Sequence, residues 1–192
     1  MNRFLDTLQP YPFERLRALL AGVTPSPRHT AVSLSIGEPR HPTPALIIDA
    51  LRDATAGLAV YPPTAGSPAL RQAIAGWISR RYGIPAPHAD TQVLPVNGSR
   101  EALFSFAQVV LDPATDATVI CPNPFYQIYE GAALLAGART WFVNQTADNG
   151  FCFDLDAVPA EVWQRCRLLF TCSPGNPTGA VMSLEDWRRL FD

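Results

Sequence analysis

Short apolar runs alternate along this chain with stretches whose apolar residues recur every three or four positions. The short runs predict strands and the longer stretches predict amphipathic helices. Strands that alternate with helices of this kind favour a mostly parallel sheet with helices on both faces, and hence an α/β fold class. Strands are predicted at residues 92–96, 118–121, 140–143 and 168–172, and helices at 13–21, after Pro44, 68–82, 99–111, 127–136, 155–165 and from Ser183.

Prolines separate these segments, and the 19 of them are spread along the chain without forming one proline-rich tract. Residues 1–44 read as an irregular N-terminal arm and small-domain segment, and residues 45–192 as the first part of one large α/β domain. The last helix runs to the final residues with no Gly, Asn or Pro to end it. We therefore expect the chain to stop within an element, and a frayed helix end is the alternative.

Composition narrows the class of function. The formal net charge is -2, and no local basic patch indicates nucleic acid or an anionic membrane as a partner. Apolar runs are far shorter than the roughly 20 residues that a membrane helix needs. Four cysteines occur without a C-x-x-C pair or a secretory leader, which favours a reduced, cytoplasmic protein, and no metal site is predicted.

The basic residues are all arginine: Lys+Arg is 15, and no lysine occurs in the 192 residues. A Schiff-base lysine, a P-loop lysine and a Ser/Lys nucleophile pair are therefore not supplied by this chain. No catalytic residue is predicted within it.

Three candidate ligand-binding positions follow predicted strands, at the edge where open α/β sheets bind ligands. Gly98, Ser99 and Arg100 lie between a strand and a helix, where unpaired backbone N–H groups, a hydroxyl and a guanidinium suit a phosphate. Tyr126 offers a ring face to a planar ligand. Asn176 lies in a turn with two prolines and two glycines that fix its backbone. Ordinary turns, and ordinary packing for the tyrosine, are the alternatives.

Taken in order, these segments resemble the fold type I, pyridoxal-phosphate-dependent aminotransferases of class I/II over essentially the whole chain. The resemblance implies the large domain of that fold, incomplete here. Within the class, the stretch 121–133 is most similar to bacterial N-succinyldiaminopimelate aminotransferases. The matching segments are residues 35–39, 61–66, 70–74, 97–103, 122–126 and 173–179.

The resemblance also implies roles for the candidate residues in binding pyridoxal 5'-phosphate. Gly98, Ser99 and Arg100 would hold the cofactor phosphate. Tyr126 would stack on the pyridine ring, and Asn176 would donate to its phenolic oxygen.

Substrate contacts and assembly are implied in the same way. Gly37 and Asn176 would approach the substrate carboxylate, and Tyr61 would reach the cofactor phosphate of the partner subunit in a homodimer. The substrates would be small amino acids and 2-oxo acids. The bonds 123–124 and 176–177, each between Asn and Pro, are candidates for the cis form.

Family members place the cofactor-binding lysine, the aspartate beside the pyridinium nitrogen and the arginine for the α-carboxylate after the turn at 173–179. The expected activity is therefore that of a longer parent, which would exchange an amino group between glutamate and N-succinyl-2-amino-6-oxopimelate in lysine biosynthesis. This chain alone is expected to be inactive. Aspartate-type or aromatic-type aminotransferases, and a non-catalytic module that binds pyridoxal phosphate, remain alternatives.

Overall fold

The structure is a computed structural model that describes residues 1–192. Two units separate along the chain: unit 1 comprises Met1–Pro10 and Val96–Asp192, and unit 2 comprises Tyr11–Pro95. The division of the chain at residue 44 stays a prediction. The helices are α1 Pro12–Leu20, α2 Ala45–Asp53, α3 Pro68–Tyr82, α4 Ser99–Val110, α5 Ile128–Leu135, α6 Ala160–Arg165 and α7 Leu184–Phe191, and the strands are β1 Thr118–Asn123, β2 Arg139–Asn144 and β3 Cys166–Leu169.

Unit 1 is built on a parallel three-stranded sheet in the order β2-β1-β3. The central strand β1 is buried along most of its length, because it is paired on both edges and covered on both faces. Pairing continues past the strand ends, where the Gln145 N–H donates to the Asn123 carbonyl at 2.7 Å and the Phe170 N–H donates to the Ile120 carbonyl at 2.9 Å. The fold class expected from the alternation, with a parallel sheet and helices, is confirmed.

Alternate residues of β1 enter two different hydrophobic clusters, as the two-residue period of a strand requires. Val119 and Cys121 pack in the cluster that α4 and α5 cover, whereas Ile120 packs with Val158 and Val162 of the α6 side. On the first face, small side chains bring the helices close to the sheet and to one another. These are Ala107 of α4 and Ala132 and Ala133 of α5, all fully buried.

Helix ends in both units follow local sequence signals. Ser67 accepts from the Leu70 N–H at the start of α3, and Gly83 ends that helix in the left-handed region at φ 65°. Ser183 and Asp186 form a reciprocal capping box on α7. Such caps satisfy N–H groups that have no partner inside the helix.

Unit 2 contains helices and loops, and Ala75 of α3 is its buried hydrophobic residue. The predicted strand at 92–96 does not form. Instead the Gln92 N–H donates to the His88 carbonyl at 2.9 Å, and the His88 N–H donates to the Gln92 side chain at 2.8 Å, so residues 88–92 form a turn and residues 93–96 belong to no helix or strand. Pro95 also lacks the N–H that a paired strand would need.

The predicted helix at 155–165 is also divided in the structure. A short 3-10 turn, Leu155–Ala157, precedes α6, which begins only after Pro159. No helix of the structure is both long enough and apolar enough to cross a membrane.

Candidate functional site

The carboxyl ends of β1 and β3 each lead into a proline-containing loop that carries a predicted site residue. After β1 the chain passes through the cis bond Asn123-Pro124 to Tyr126, and after β3 it passes through Ser173-Pro174 and Asn176-Pro177, which are also cis. Both of the bonds expected to be cis are so, and the third, at Ser173, was not foreseen. Parallel strands bring these two loops to the same edge of the sheet.

Helix α4 begins at the phosphate-site candidate. Gly98 occupies its N-cap position, no side chain caps its first N–H groups, and Ser99 and Arg100 are exposed. Its carboxyl end leads through a short loop to the start of β1, so its N-terminus is directed toward the carboxyl edge of the sheet. Free N–H groups, a hydroxyl and a guanidinium are the donor set that a phosphate dianion needs.

Gly98 could not be replaced here by a residue with a side chain without rearrangement. Its φ is 152°, and a Cβ would lie 2.6 Å from Oε2 of Glu101, the third residue of α4. The Glu101 carboxylate thus lies close against the Gly98 backbone, in space that a side chain at position 98 would need. The donor set of backbone N–H groups, hydroxyl and guanidinium is what fits the phosphate of pyridoxal phosphate.

Tyr126 is half-buried just before α5, and its ring meets the ring of Tyr129 edge-on, with centroids 6.0 Å apart and an interplanar angle of 81°. The neighbouring Phe125 stacks on Phe142 of β2 at 5.0 Å. These contacts restrict the segment that follows β1. A ring held in this way suits stacking on a planar ligand.

Asn176 is exposed in a turn closed by its own backbone. The Gly175 N–H donates to the Ala180 carbonyl at 2.7 Å, and the Gly179 N–H donates back to the Gly175 carbonyl at 2.7 Å. A Cβ on Gly175 would lie 2.7 Å from the Thr178 hydroxyl, so glycine is needed for this close packing. The turn thus presents the Asn176 amide on a fixed backbone.

Gly37 and Tyr61 belong to unit 2. Gly37 is exposed, and a Cβ there would meet nothing within 4 Å. Tyr61 is 97% exposed and lies in the loop that lines a shallow cavity together with Gly57, Leu58 and Pro63. The roles expected for both residues stay predictions.

The structure adds residues that were not expected at this edge. The Asn123 side-chain amide donates to Oδ1 of Asn144 at 2.8 Å, which ties the ends of β1 and β2 together. Tyr129 is buried, and its ring contacts those of Tyr126 and Phe170; its place in the helix predicted at 127–136 was a usable signal, although Tyr126 precedes that helix. The Asn123–Asn144 pairing had no such signal, because it depends on the register between two strands.

Burial raises the pKa values of two side chains near the carboxyl ends of the strands, Cys121 and Tyr129. It raises the pKa of the Cys121 thiol to about 12, with the Glu130 carboxylate contributing in the same direction. It also raises the pKa of Tyr129, to which the nearby Cys172 adds. Both side chains therefore stay neutral at physiological pH and add no negative charge that would repel an anionic ligand.

The family model for aminotransferase class I and II matches residues 29–192. The chain belongs to this family. Its members depend on pyridoxal phosphate and transfer amino groups between small amino and oxo acids. The resemblance drawn from the motifs is thereby confirmed at the level of the family.

Curated relatives and solved structures agree with this assignment. The chain is 38% identical to an LL-diaminopimelate aminotransferase of Desulforudis audaxviator, over 98% of this chain and 47% of the relative, and 34% identical to one of Gloeobacter violaceus, over 97% and 47%. A crystal structure of an aminotransferase from Neisseria meningitidis is 50% identical, with a TM-score of 0.92, and covers 100% of this chain and 49% of that one. The chain thus spans about half the length of the relatives it matches.

Proposed function

We propose that the chain is the N-terminal part of an aminotransferase that uses pyridoxal phosphate and acts on a substrate with the diaminopimelate skeleton. The observation that carries the proposal is the family match over residues 29–192, combined with a phosphate-type donor set at the N-terminus of α4. The protein of full length, in which the missing lysine would be supplied, is the proposed enzyme.

In this proposal the residues of unit 1 bind and orient the cofactor. Ser99, Arg100 and the N–H groups around Gly98 hold the phosphate, Tyr126 covers one face of the ring, and Asn176 donates to the phenolic oxygen. When bound, pyridoxal phosphate supplies the electron-withdrawing ring that makes the α-proton of an amino acid removable. The protein's contribution at this edge is to fix the plane and position of that ring.

The residues of unit 2 are proposed to act on substrate and partner. The backbone at Gly37 approaches the substrate carboxylate with Asn176, and Tyr61 reaches the cofactor phosphate of a second subunit in a homodimer. The exposure of Tyr61 is compatible with a contact to another chain. The cytoplasmic location also remains part of the proposal.

Two related substrates compete within the proposal. The sequence motifs favour N-succinyl-2-amino-6-oxopimelate, whereas the curated relatives are named LL-diaminopimelate aminotransferases, without the succinyl group. Both molecules place an amino or oxo group next to a carboxylate on the same seven-carbon dicarboxylate. Aspartate-type and aromatic-type activities are compatible with the family alone.

The decisive experiment starts from the DNA downstream of the Asp192 codon. We expect an in-frame continuation that contains a Ser-x-x-Lys segment, and a protein of that length that aminates the 2-oxo acid of one diaminopimelate form with glutamate as donor. A panel with the succinylated, unsuccinylated, aspartate-type and aromatic acceptors identifies the substrate. A stop codon directly after Asp192, or no transfer to either diaminopimelate form, overturns the proposal.

A non-catalytic module is the second candidate, because the 192 residues contain no lysine. Titration of this chain with pyridoxal phosphate distinguishes the two. The module predicts reversible binding that borohydride does not make permanent, whereas no binding by an aggregating chain supports the N-terminal part of a longer enzyme.

A further inference from the structure

Tyr129 is a buried residue to which the proposed function gives no task. It lies in the second position of α5, and its ring stacks on Phe170 with centroids 4.3 Å apart and an interplanar angle of 8°. Phe170 directly follows β3 and is held by its N–H to the Ile120 carbonyl at 2.9 Å. The phenol of Tyr129 is thus anchored to the carboxyl end of the sheet.

The same ring supports Tyr126, the residue proposed to cover the cofactor. The two rings meet edge-on at 6.0 Å and 81°, an arrangement that aromatic pairs favour. Tyr126 is only half-buried, so its orientation depends on the few groups that contact it. A buried neighbour fixed by the sheet is a suitable support.

The hydroxyl of Tyr129 reaches toward the second loop. It lies beside the thiol of Cys172, which itself donates to the Pro174 carbonyl at 3.3 Å. Cys172 and Pro174 begin the turn that presents Asn176. Tyr129 therefore contacts the ring of Tyr126 and lies close to Cys172, which directly precedes the Asn176 turn.

We propose that Tyr129 is a positioning residue that sets Tyr126 and the Asn176 turn at the spacing that pyridoxal phosphate requires. The inference rests on the proposed function. A purely packing role would be served as well by phenylalanine, because the ring contacts to Tyr126 and Phe170 do not need the hydroxyl. The hydroxyl is therefore the group to test.

The experiment uses the full-length protein and compares Tyr129→Phe, Tyr129→Leu, Cys172→Ala and the double variant Tyr129→Phe/Cys172→Ala. Affinity for pyridoxal phosphate is measured by fluorescence titration, together with the circular dichroism of the bound cofactor and the urea midpoint. Tyr82→Phe is the matched control, since it removes a hydroxyl from an exposed tyrosine of α3.

We expect Tyr129→Phe to weaken cofactor binding about threefold, because the contact between its hydroxyl and the Cys172 thiol is lost, with the urea midpoint nearly unchanged. Tyr129→Leu weakens binding about tenfold, because the edge contact to Tyr126 is lost as well. In the Cys172→Ala background the Tyr129→Phe change has no further effect, and the control binds like the wild type. The dichroism of the bound cofactor changes in both Tyr129 variants.

Two failures are distinguishable. If the wild type binds pyridoxal phosphate and Tyr129→Phe binds it equally, with the same dichroism, the positioning role is overturned and the proposed function stands. If the wild type binds no pyridoxal phosphate, the proposed function is overturned and the positioning role with it. Should Tyr129→Leu fail to fold, Tyr129→Phe and the double variant still decide.

Discussion

Units 1 and 2 differ in what holds their candidate site residues in place. In unit 1 both faces of a parallel sheet are covered, and fully buried residues such as Ile120 and Val143 belong to the core of the unit that carries Tyr126 and Asn176. In unit 2 the apolar residues of α1 and α2 are exposed, and Ala75 is its buried hydrophobic residue. Sheet pairing thus gives unit 1 a core of its own, whereas the segments around Gly37 and Tyr61 have little burial behind them.

The largest expected effect compares one isoleucine from each unit. Ile120→Ala removes a side chain that is 0% exposed and should lower the free energy of unfolding by about 2–5 kcal/mol. Ile47→Ala, at a position that is 57% exposed, should change it by no more than about 0.5 kcal/mol. Urea denaturation followed by circular dichroism measures both. Equal losses would show that the contrast between the units is wrong.

Alkaline pH should destabilise unit 1, because the core contains the buried thiol of Cys121. The pKa of Cys121 is about 12 in the folded state, against an ordinary value of 9.0, so between these values the unfolded chain loses a proton that the folded chain keeps. The free energy of unfolding therefore falls by about 1.4 kcal/mol per pH unit between these two values because of this thiol. The stabilisation that the neutral thiol gives is fully present below pH 9. Urea midpoints at pH 8 to 10.5 should fall less steeply in Cys121→Ala. Parallel slopes for the two proteins would contradict a buried, neutral thiol.

Gly98→Ala tests the site more than the core. The new Cβ would meet the Glu101 carboxylate at 2.6 Å, so that side chain must move aside, and the φ of 152° strains any residue other than glycine at the start of α4. We expect affinity for pyridoxal phosphate in the full-length protein to fall about tenfold, the equivalent of about 1.4 kcal/mol. Gly57→Ala is the matched control in unit 2, where a Cβ meets nothing within 4 Å. Equal affinities of the two variants would show that Gly98 has no role in cofactor binding.

The smallest effect is expected at the ion pair between Arg189 of α7 and Asp156. Its N–O distances are 2.8 Å, and both side chains are exposed, so solvent screens the attraction. Asp156→Asn should leave the urea midpoint within the error of the measurement. A clear loss of stability would mean that α7 depends on this contact.

Sequence patterns predicted what local chemistry determines. The strands β1 and β2 and the turn around Asn176 follow from periodicity and prolines, whereas β3, Cys166–Leu169, begins two residues and ends three residues before the predicted segment 168–172. The predicted strand at 92–96 was wrong, because β-type residues form a strand only where a neighbour can pair with them, and Pro95 weakens that pairing.

Long-range geometry was less accessible. The central position of β1 and the pairing of Asn123 with Asn144 depend on strand order and register, which no single segment encodes. The place of Tyr129 between two loops likewise depends on how α5 packs against the end of β3. The roles of the candidate residues were inferred from the resemblance to a family, whereas their turns and neighbouring helices were predicted from the residues themselves.

A crystal structure of the full-length protein with pyridoxal phosphate tests the central claim most directly. The prediction is that the phosphate accepts hydrogen bonds from Ser99, Arg100 and the N–H groups at the start of α4, with the Tyr126 ring parallel to the pyridine and the Asn176 amide at its phenolic oxygen. A phosphate bound elsewhere, with these residues facing solvent, would contradict it.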